Sequence, residues 1–320
     1  MQRRTFIQSL AAAGAGATPL ASHAQGFPSQ AIRVYGGFGP GSTTDVLMRL
    51  IAPSLQQLLG QALVVDNIQG AAGNIAASTV AKAKPDGYTL LAATNSMLGS
   101  NPHLIPQSGI QLDTFTPIMP LCNIGLVVVA GPSAPANTLA GLIEASTRQE
   151  LNYGTPGAGT PMHLVGELLR ERGKANLAHV AYKGGAAMIQ DLVSGQIPLG
   201  IVAYSPAAGL IKSGKLKALA VCGTSRLSAL PQVPTVPEIV PGVTIGAWCA
   251  LMAPSGTPDL VCRQIAQAVD KALAQPKVQE QLIEQGCDRL PGGADVVRQL
   301  TRTEYDLAGD LIRRLNIRGG

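Results

Sequence analysis

Glycines, hydroxyls and one carboxylate crowd residues 36–45, GGFGPGSTTD. Glycine and proline at this density stop a helix or a central strand. Ser42 is placed as a helix N-cap, and Asp45, three residues on, completes a capping box. A glycine loop that feeds a helix start exposes backbone N–H groups at the positive end of the helix dipole, which favours an anion. Two familiar phosphate loops do not fit. Gly36 and Gly41 have Walker A spacing, but Ser42-Thr43 follows directly and the lysine that holds the γ-phosphate is missing. A dinucleotide loop needs glycine at 42 or 44, where Ser42 and Thr44 stand. Two readings stay open for this stretch, a carboxylate site and a glycine-rich connection with no ligand.

A second group of the same kind lies at residues 155–163. Thr155-Pro156-Gly157-Ala158-Gly159 forms a glycine loop, Thr160 is placed as N-cap, and Pro161 takes the favoured first helical position. His163 follows in the first turn, as a ligand contact or a brace for the loop. Between the two groups, Thr94-Asn95-Ser96 offers hydroxyls and an amide where a helix can begin.

The elements that must position these groups follow from hydrophobic periodicity. Ile32, Val34 and Tyr35 read as a strand, and Val46, Leu47, Leu50 and Ile51 as a helix that Pro53 should kink or shorten. Strands follow at 62–67 and 88–93, separated by a helix ending near Lys84. That rhythm argues for a parallel α/β sheet, whose ligands lie beyond the carboxyl ends of the strands. An apolar strand at 125–130 opens a second set, with strands at 151–154, 179–182, 197–203 and 217–222. A strand at 245–252 and helices at 259–274, 278–285 and 293–312 close the chain. Two α/β units, each presenting a loop and a helix start, imply a cleft that closes on an anion.

Residues 1–24 read as an export signal: Arg3-Arg4, a mild apolar run, then small residues before a cut after Ala24. Arg-Arg-x-Phe resembles a twin-arginine signal, with a Sec signal as the alternative. The apolar run is too short for an anchor, so an exported, soluble chain of roughly 296 residues is expected. Net charge is +5 and aromatics are 3%, with no basic cluster among aromatics, which argues against nucleic acid. The five cysteines lack Cys-x-x-Cys spacing, so neither a metal site nor a thiol nucleophile is supported. No cofactor is implied. Gly-x-Ser-x-Gly and His-Glu-x-x-His are both absent, which weakens a hydrolase reading.

A set of ordered motifs covers nearly all of the chain after residue 24. They are FGPGSTTD at 38–45, GAAGNIAASTVAKAKPDGYTLL at 70–91, LNYGTPGAGTPMHLVGELL at 151–169, HVAYKGG at 179–185, SGKLKALAV at 213–221, LPQVPTVPE at 230–238 and APSGTP at 253–258. The chain thereby resembles the Bug family, periplasmic solute receptors of tripartite tricarboxylate transporters. The resemblance implies an α/β, two-domain periplasmic-binding-protein fold of the Venus-flytrap type (type II-like). Residues 25–125 with 246–320 would form one domain and 126–245 the other, with a ligand cleft between them. It implies no catalysis, a small organic carboxylate as ligand, membrane transporter subunits as partners, a periplasmic location and a monomer. The implied ligand set is Phe38, Gly39, Gly41, Ser42, Thr43, Thr94, Asn95 and Ser96 from one domain. The other contributes Thr155, Gly157, Gly159, Thr160, His163 and Tyr182. A carboxylate-sensing receptor that acts through a signalling partner is the alternative role. Two departures stand out: Val202 replaces an acid common in relatives, which disfavours amino-acid ligands, and the first loop has Gly39 and Ser42 where proline and glycine are usual.

Overall fold

A computed structural model describes residues 26–318; residues 1–24, expected to be an export signal, lie outside the described residues. The first half of the chain runs β1 (Ile32–Gly36), α1 (Thr43–Leu59), β2 (Leu63–Asn67), α2 (Asn74–Ala81), β3 (Thr89–Thr94), α3 (Asn101–Leu104) and β4 (Phe115–Ile124). The middle runs β5 (Leu126–Ala130), α4 (Leu139–Ser146), β6 (Leu151–Thr155), α5 (Pro161–Gly173), β7 (Leu177–Ala181), α6 (Gly185–Ser194), β8 (Leu199–Ala203), α7 (Tyr204–Lys212), β9 (Lys217–Cys222) and α8 (Val236–Ile239). The end runs β10 (Ala247–Pro254), α9 (Asp259–Leu273), α10 (Pro276–Glu284), β11 (Cys287–Arg289) and α11 (Ala294–Arg314).

These elements build two sheets. The first has the order β11-β4-β10-β3-β1-β2, with β1, β2 and β3 parallel and β10 antiparallel to both neighbours. The second has the order β7-β6-β8-β5-β9, with β6 parallel to β7 and β8, and β5 antiparallel to β8 and β9. Central strands are buried on both faces, so their residues divide by alternation. Leu90 and Ala92 of β3 pack with Leu47 and Ile51 of α1, while Leu91 and Ala93 pack with Val80 of α2 and Val297 of α11. In the second sheet Leu126 and Val128 face one core, and Val127 and Val129 the other. The helices thus cover both faces, and the strand ends are left to carry loops.

The chain passes from the first sheet to the second within one residue, Gly125, whose N–H donates to Gly286 O. It returns between α8 and β10. Tyr204, buried in the second lobe, packs against Gly286 at the same junction, so this tyrosine serves packing. The last helix belongs to both cores. Val297 packs on the first lobe, whereas Ala308, Leu311 and Ile312 join the core under β5 and β6.

Most expected elements form within three residues of their positions. Strand β4 was not among the expected strands, and it carries two prolines, Pro117 and Pro120, which are unfavourable inside a sheet. It forms because β11 pairs only with Cys122–Ile124, which leaves the proline-bearing half without a strand on that side. Register shifts in the β4–β10 pairing absorb the remaining mismatch. Helices α4 and α7 were likewise not expected; each carries an internal glycine, Gly141 and Gly209. All five cysteines are buried free thiols. No helix among the described residues is long and apolar enough to cross a membrane.

Pro53 does not shorten α1, which continues through it to Leu59 and closes on Gly60 in the left-handed region, φ 74°. Proline still removes one helical N–H. Pro53 is exposed, so Pro53→Ala should raise stability by about 1–3 kcal/mol, read as a higher urea midpoint with unchanged slope.

Candidate ligand-binding site

The loop after β1 approaches its neighbours closely. A Cβ at Gly37 would lie 2.5 Å from Gly73 Cα and 2.4 Å from Met97 Cε, so only glycine lets the two loops touch. Gly41 turns with φ 78° and delivers the chain to Ser42, the N-cap of α1. The expected capping box is not made: the Ser42 side chain caps nothing, and Asp45 reaches past it. Asp45 Oδ2 accepts from Gly41 N at 2.9 Å, and Oδ1 accepts from Arg49 Nε at 2.8 Å and Asn67 Nδ2 at 2.6 Å. Burial alone would raise the Asp45 carboxyl, yet these donors hold it below its ordinary range. It braces the loop and is spent there. The Thr43 hydroxyl, by contrast, is buried at 6% exposure with no hydrogen-bond partner among the described residues.

Two further segments close on this loop. Ala71 and Ala72 both have positive φ, 46° and 50°, a strained geometry for alanine. Asn101 Nδ2 holds it by donating to both their carbonyls, at 3.3 and 3.2 Å. Asn74, which follows at the start of α2, leaves Oδ1 buried and unpartnered. Thr94, Asn95 and Ser96 are buried at the end of β3; Thr94 Oγ1 and Ser96 Oγ lie 3.0 Å apart, and Asn95 Nδ2 donates to Gly246 O at 3.1 Å. A π-helical turn, Ser96–Ser100, follows and leads into α3.

In the second lobe Thr160 caps α5 as expected, accepting from His163 N at 3.4 Å, and its own hydroxyl donates to Gly157 O at 2.8 Å. Thr155 Oγ1 donates to the same carbonyl at 3.1 Å and lies 2.7 Å from His179 Nε2. His163 Nδ1 accepts from Gly159 N at 3.0 Å, which places its proton on Nε2, 3.7 Å from Glu167 Oε1. Its ring stacks on His179 with centroids 3.8 Å apart. The structure therefore gives His163 the bracing role. Glu167 also accepts from Tyr153 OH at 2.9 Å and Arg170 Nη1 at 2.8 Å. Burial opposes its charge, but His163, Tyr153 and Arg170 hold it down to about 2. Burial, above all, pushes His179 down to about 4. Tyr182 donates to Asp191 at 2.7 Å, so its hydroxyl is already engaged.

The two lobes meet at Gly159, φ 73°, where a Cβ would lie 2.0 Å from Leu104 Cδ1 and 3.9 Å from Ser100 Cβ. The structure thus joins the loop at 37–45, the loop at 70–74, the segment at 94–101 and the loop at 155–163 into one continuous region. Sequence reasoning missed Asn74, Asn101 and Glu167 as parts of it. Only the Glu167 position carried a signal, four residues after His163 on one helix face.

The pH dependence of this region has a defined sign. His179 binds fewer protons folded than unfolded between about pH 4 and 6.5, so its effect is to lower stability as pH falls through that window. His179→Gln keeps a polar terminus for Thr155 and removes the titration. Between pH 6.5 and 4 the wild type should lose on the order of 2 kcal/mol more than the variant, by urea unfolding at both pH values.

The region's relatives are known. The family described as "Tripartite tricarboxylate transporter family receptor" matches residues 47–317. A UPF0065 protein of Bordetella pertussis is 33% identical over 300 residues, 92% of this chain and 93% of that one. Protein BugT of the same organism is 31% identical over 292 residues, 90% of each. Among solved structures, an R. palustris protein with adipate superposes with a TM-score of 0.87 at 30% identity, over 91% of this chain and 99% of the other. MatC from Rhodopseudomonas palustris with bound malate gives 0.80 at 30%, over 89% and 100%. Periplasmic binding protein BugD gives 0.84 at 29%, over 91% and 99%. The likeness spans the whole two-sheet architecture, and these are binding proteins, not enzymes. This chain is a solute-binding protein of the tripartite tricarboxylate transporter receptor family, of the Bug type.

Proposed function

We propose that the protein captures a small organic dicarboxylate between its lobes and hands it to the membrane subunits of a tripartite tricarboxylate-type transporter. The observation that carries this reading is the pairing of two helix starts, α1 and α5, one from each lobe, each behind a glycine loop. Each offers backbone donors and a favourable dipole to one carboxylate. The unpartnered Thr43 hydroxyl on the first side supplies a further donor. Relatives of similar architecture were solved with adipate and with malate, both dicarboxylates.

In this reading Phe38, Gly39, Gly41, Ser42 and Thr43 face one end of the ligand, with Thr94, Asn95 and Ser96 behind them. Thr155, Gly157, Gly159, Thr160 and Tyr182 surround the other end. Residues 25–125 with 246–320 form the first domain and 126–245 the second, joined through Gly125 and through 240–246. Ligand shifts the balance towards the closed state by binding it better. Val202 is buried beside Val127 in a core of the second lobe, so no acid stands there to receive an ammonium group, which supports a carboxylate over an amino acid. The chain acts as an exported, periplasmic monomer.

Calorimetry of residues 25–320 with malate, adipate, amino acids and sugars tests this directly. One dicarboxylate should bind and be recovered chemically unchanged. Thr43→Val should weaken it about tenfold, the worth of one hydrogen bond to a charged group. Binding of a sugar or amino acid with no response to any carboxylate would sink the reading.

A further inference from the structure

Three of the five cysteines meet on one face of the first sheet. Strand β4 runs between β11 and β10, and each of the three carries one: Cys287 on β11, Cys122 on β4 and Cys249 on β10. Cys122 and Cys249 are direct partners in the antiparallel register. Cys287 lies on the diagonal, since Arg289 stands opposite Cys122 and Ile124 opposite Cys287. All three belong to one core, with exposures of 0% for Cys122, 0% for Cys249 and 1% for Cys287. The other two cysteines are placed differently. Cys222 is in a core of the second lobe, and Cys262 sits on α9, outside the sheet, with its thiol turned to the Thr257 carbonyl.

Residues directly opposite in an antiparallel pair have Cα atoms about 4.5 or 5.5 Å apart, with side chains on the same side of the sheet. Both separations fall within the roughly 4.4–6.8 Å that a disulfide spans. The diagonal, at about 7–8 Å, is longer. Cys249 is therefore the partner that the register offers Cys122. The pair also flanks the passages between the lobes: Cys122 lies three residues before Gly125, and Cys249 three after Gly246 in the return segment. Access is closed once the chain has folded. The neighbouring Cys287 thiol and burial push the Cys122 thiol well above the usual range, and burial pushes Cys249 up as well. The thiolate is the attacking species, so buried thiols of this kind are inert in the finished fold.

We propose that Cys122 and Cys249 form a cross-strand disulfide when the chain folds in contact with a disulfide oxidant, and that the finished fold seals whichever redox state it was made in. One cysteine thiolate attacks the oxidant's disulfide, expels one of its sulfurs as a thiolate and leaves a mixed disulfide. The second cysteine attacks that bond, closes the Cys122–Cys249 bridge and releases the other sulfur. Two protein thiols lose two protons and two electrons, and the oxidant is reduced to two thiols. The bridge joins the strand that leaves the first lobe to the strand that returns to it. It lies within one lobe, so it fastens the base of both crossings without spanning the cleft. A chain that folds in an oxidising compartment is made with the bridge; one that folds first in reducing surroundings keeps five thiols.

Residues 25–320, reduced, unfolded in urea and refolded with oxidised glutathione as the probe, should lose about 2 Da in intact mass, the two hydrogens of one bridge. Three of the five thiols should still react with an alkylating agent in denaturant, and peptide mapping should find Cys122 linked to Cys249. Folded, reduced protein held in the same oxidant for the same time should keep all five. The bridged form should unfold at a higher urea concentration than the same protein refolded in reductant. Cys249→Ala should abolish the bridge; if that variant does not fold, the map and thiol count of the wild type decide alone. Five thiols after oxidative refolding, a lasting glutathione adduct, or a bridge made by Cys222, Cys262 or Cys287 overturns the proposal. So does refolding that succeeds only with reductant present. Equal loss of thiols from the folded chain overturns the sealing, and an unchanged urea midpoint overturns the fastening of the crossings.

Discussion

A glycine has to be approached too closely for any Cβ at two places for this site to exist, once by backbone and once by a side chain. Gly37 rests on Gly73, and Gly159 rests on Leu104, each at a distance that leaves no room for a Cβ. The first contact brings the starts of α1 and α2 together; the second brings α5 up to the first lobe. Any side chain at either point would separate helix N-termini whose value lies in converging N–H groups. Everything else around the site holds these approaches in place. Asn101 does so for the 70–74 loop, Asp45 for the turn at Gly41, and His163 for the turn at Gly159.

The lobes brace their loops with opposite chemistry. In the first, a carboxylate accepts from the loop, and its charge is supported by Arg49 and Asn67. In the second, an imidazole accepts, and the negative charge sits one turn away on Glu167 between Tyr153, Arg170 and His163. Both arrangements consume the acid internally, so neither presents it to an incoming anion. That is the electrostatic condition for a carboxylate site built largely from neutral donors. Two half-buried groups stand outside this balance: burial pushes His179 down to about 4 and Glu304 up to about 7. Their effects on stability have opposite signs, since burial disfavours charge on both but charge means a bound proton for one and a lost proton for the other.

The C-terminal helix deserves its place in any account of lobe movement. Its first turns pack with Trp248 and Val80, and its last turns enter the core of the second lobe at Leu311 and Ile312. A rigid rod shared by two cores limits how the lobes can rotate. Near its middle the Tyr305 carbonyl is tied by a hydrogen bond to His103 of α3, an element of the first lobe.

Much of this was written locally. Alternation and apolar runs determined most strands, and Thr160-Pro161 determined the start of α5, because capping and periodicity depend on neighbours within a few residues. The glycine loops themselves were legible for the same reason. The sequence alone did not determine β4, whose prolines are tolerated only because β11 stops at three residues. Nor did it determine what Asp45 and His163 do: Asp45 was expected in a capping box and His163 as ligand contact or loop brace, and the tertiary structure gives each a loop amide by placing Gly41 N and Gly159 N within reach. Asn101 had no local signature at all. Its role comes from a segment 30 residues distant in the chain, and hydrogen bonds of that range exist only once the loops have packed.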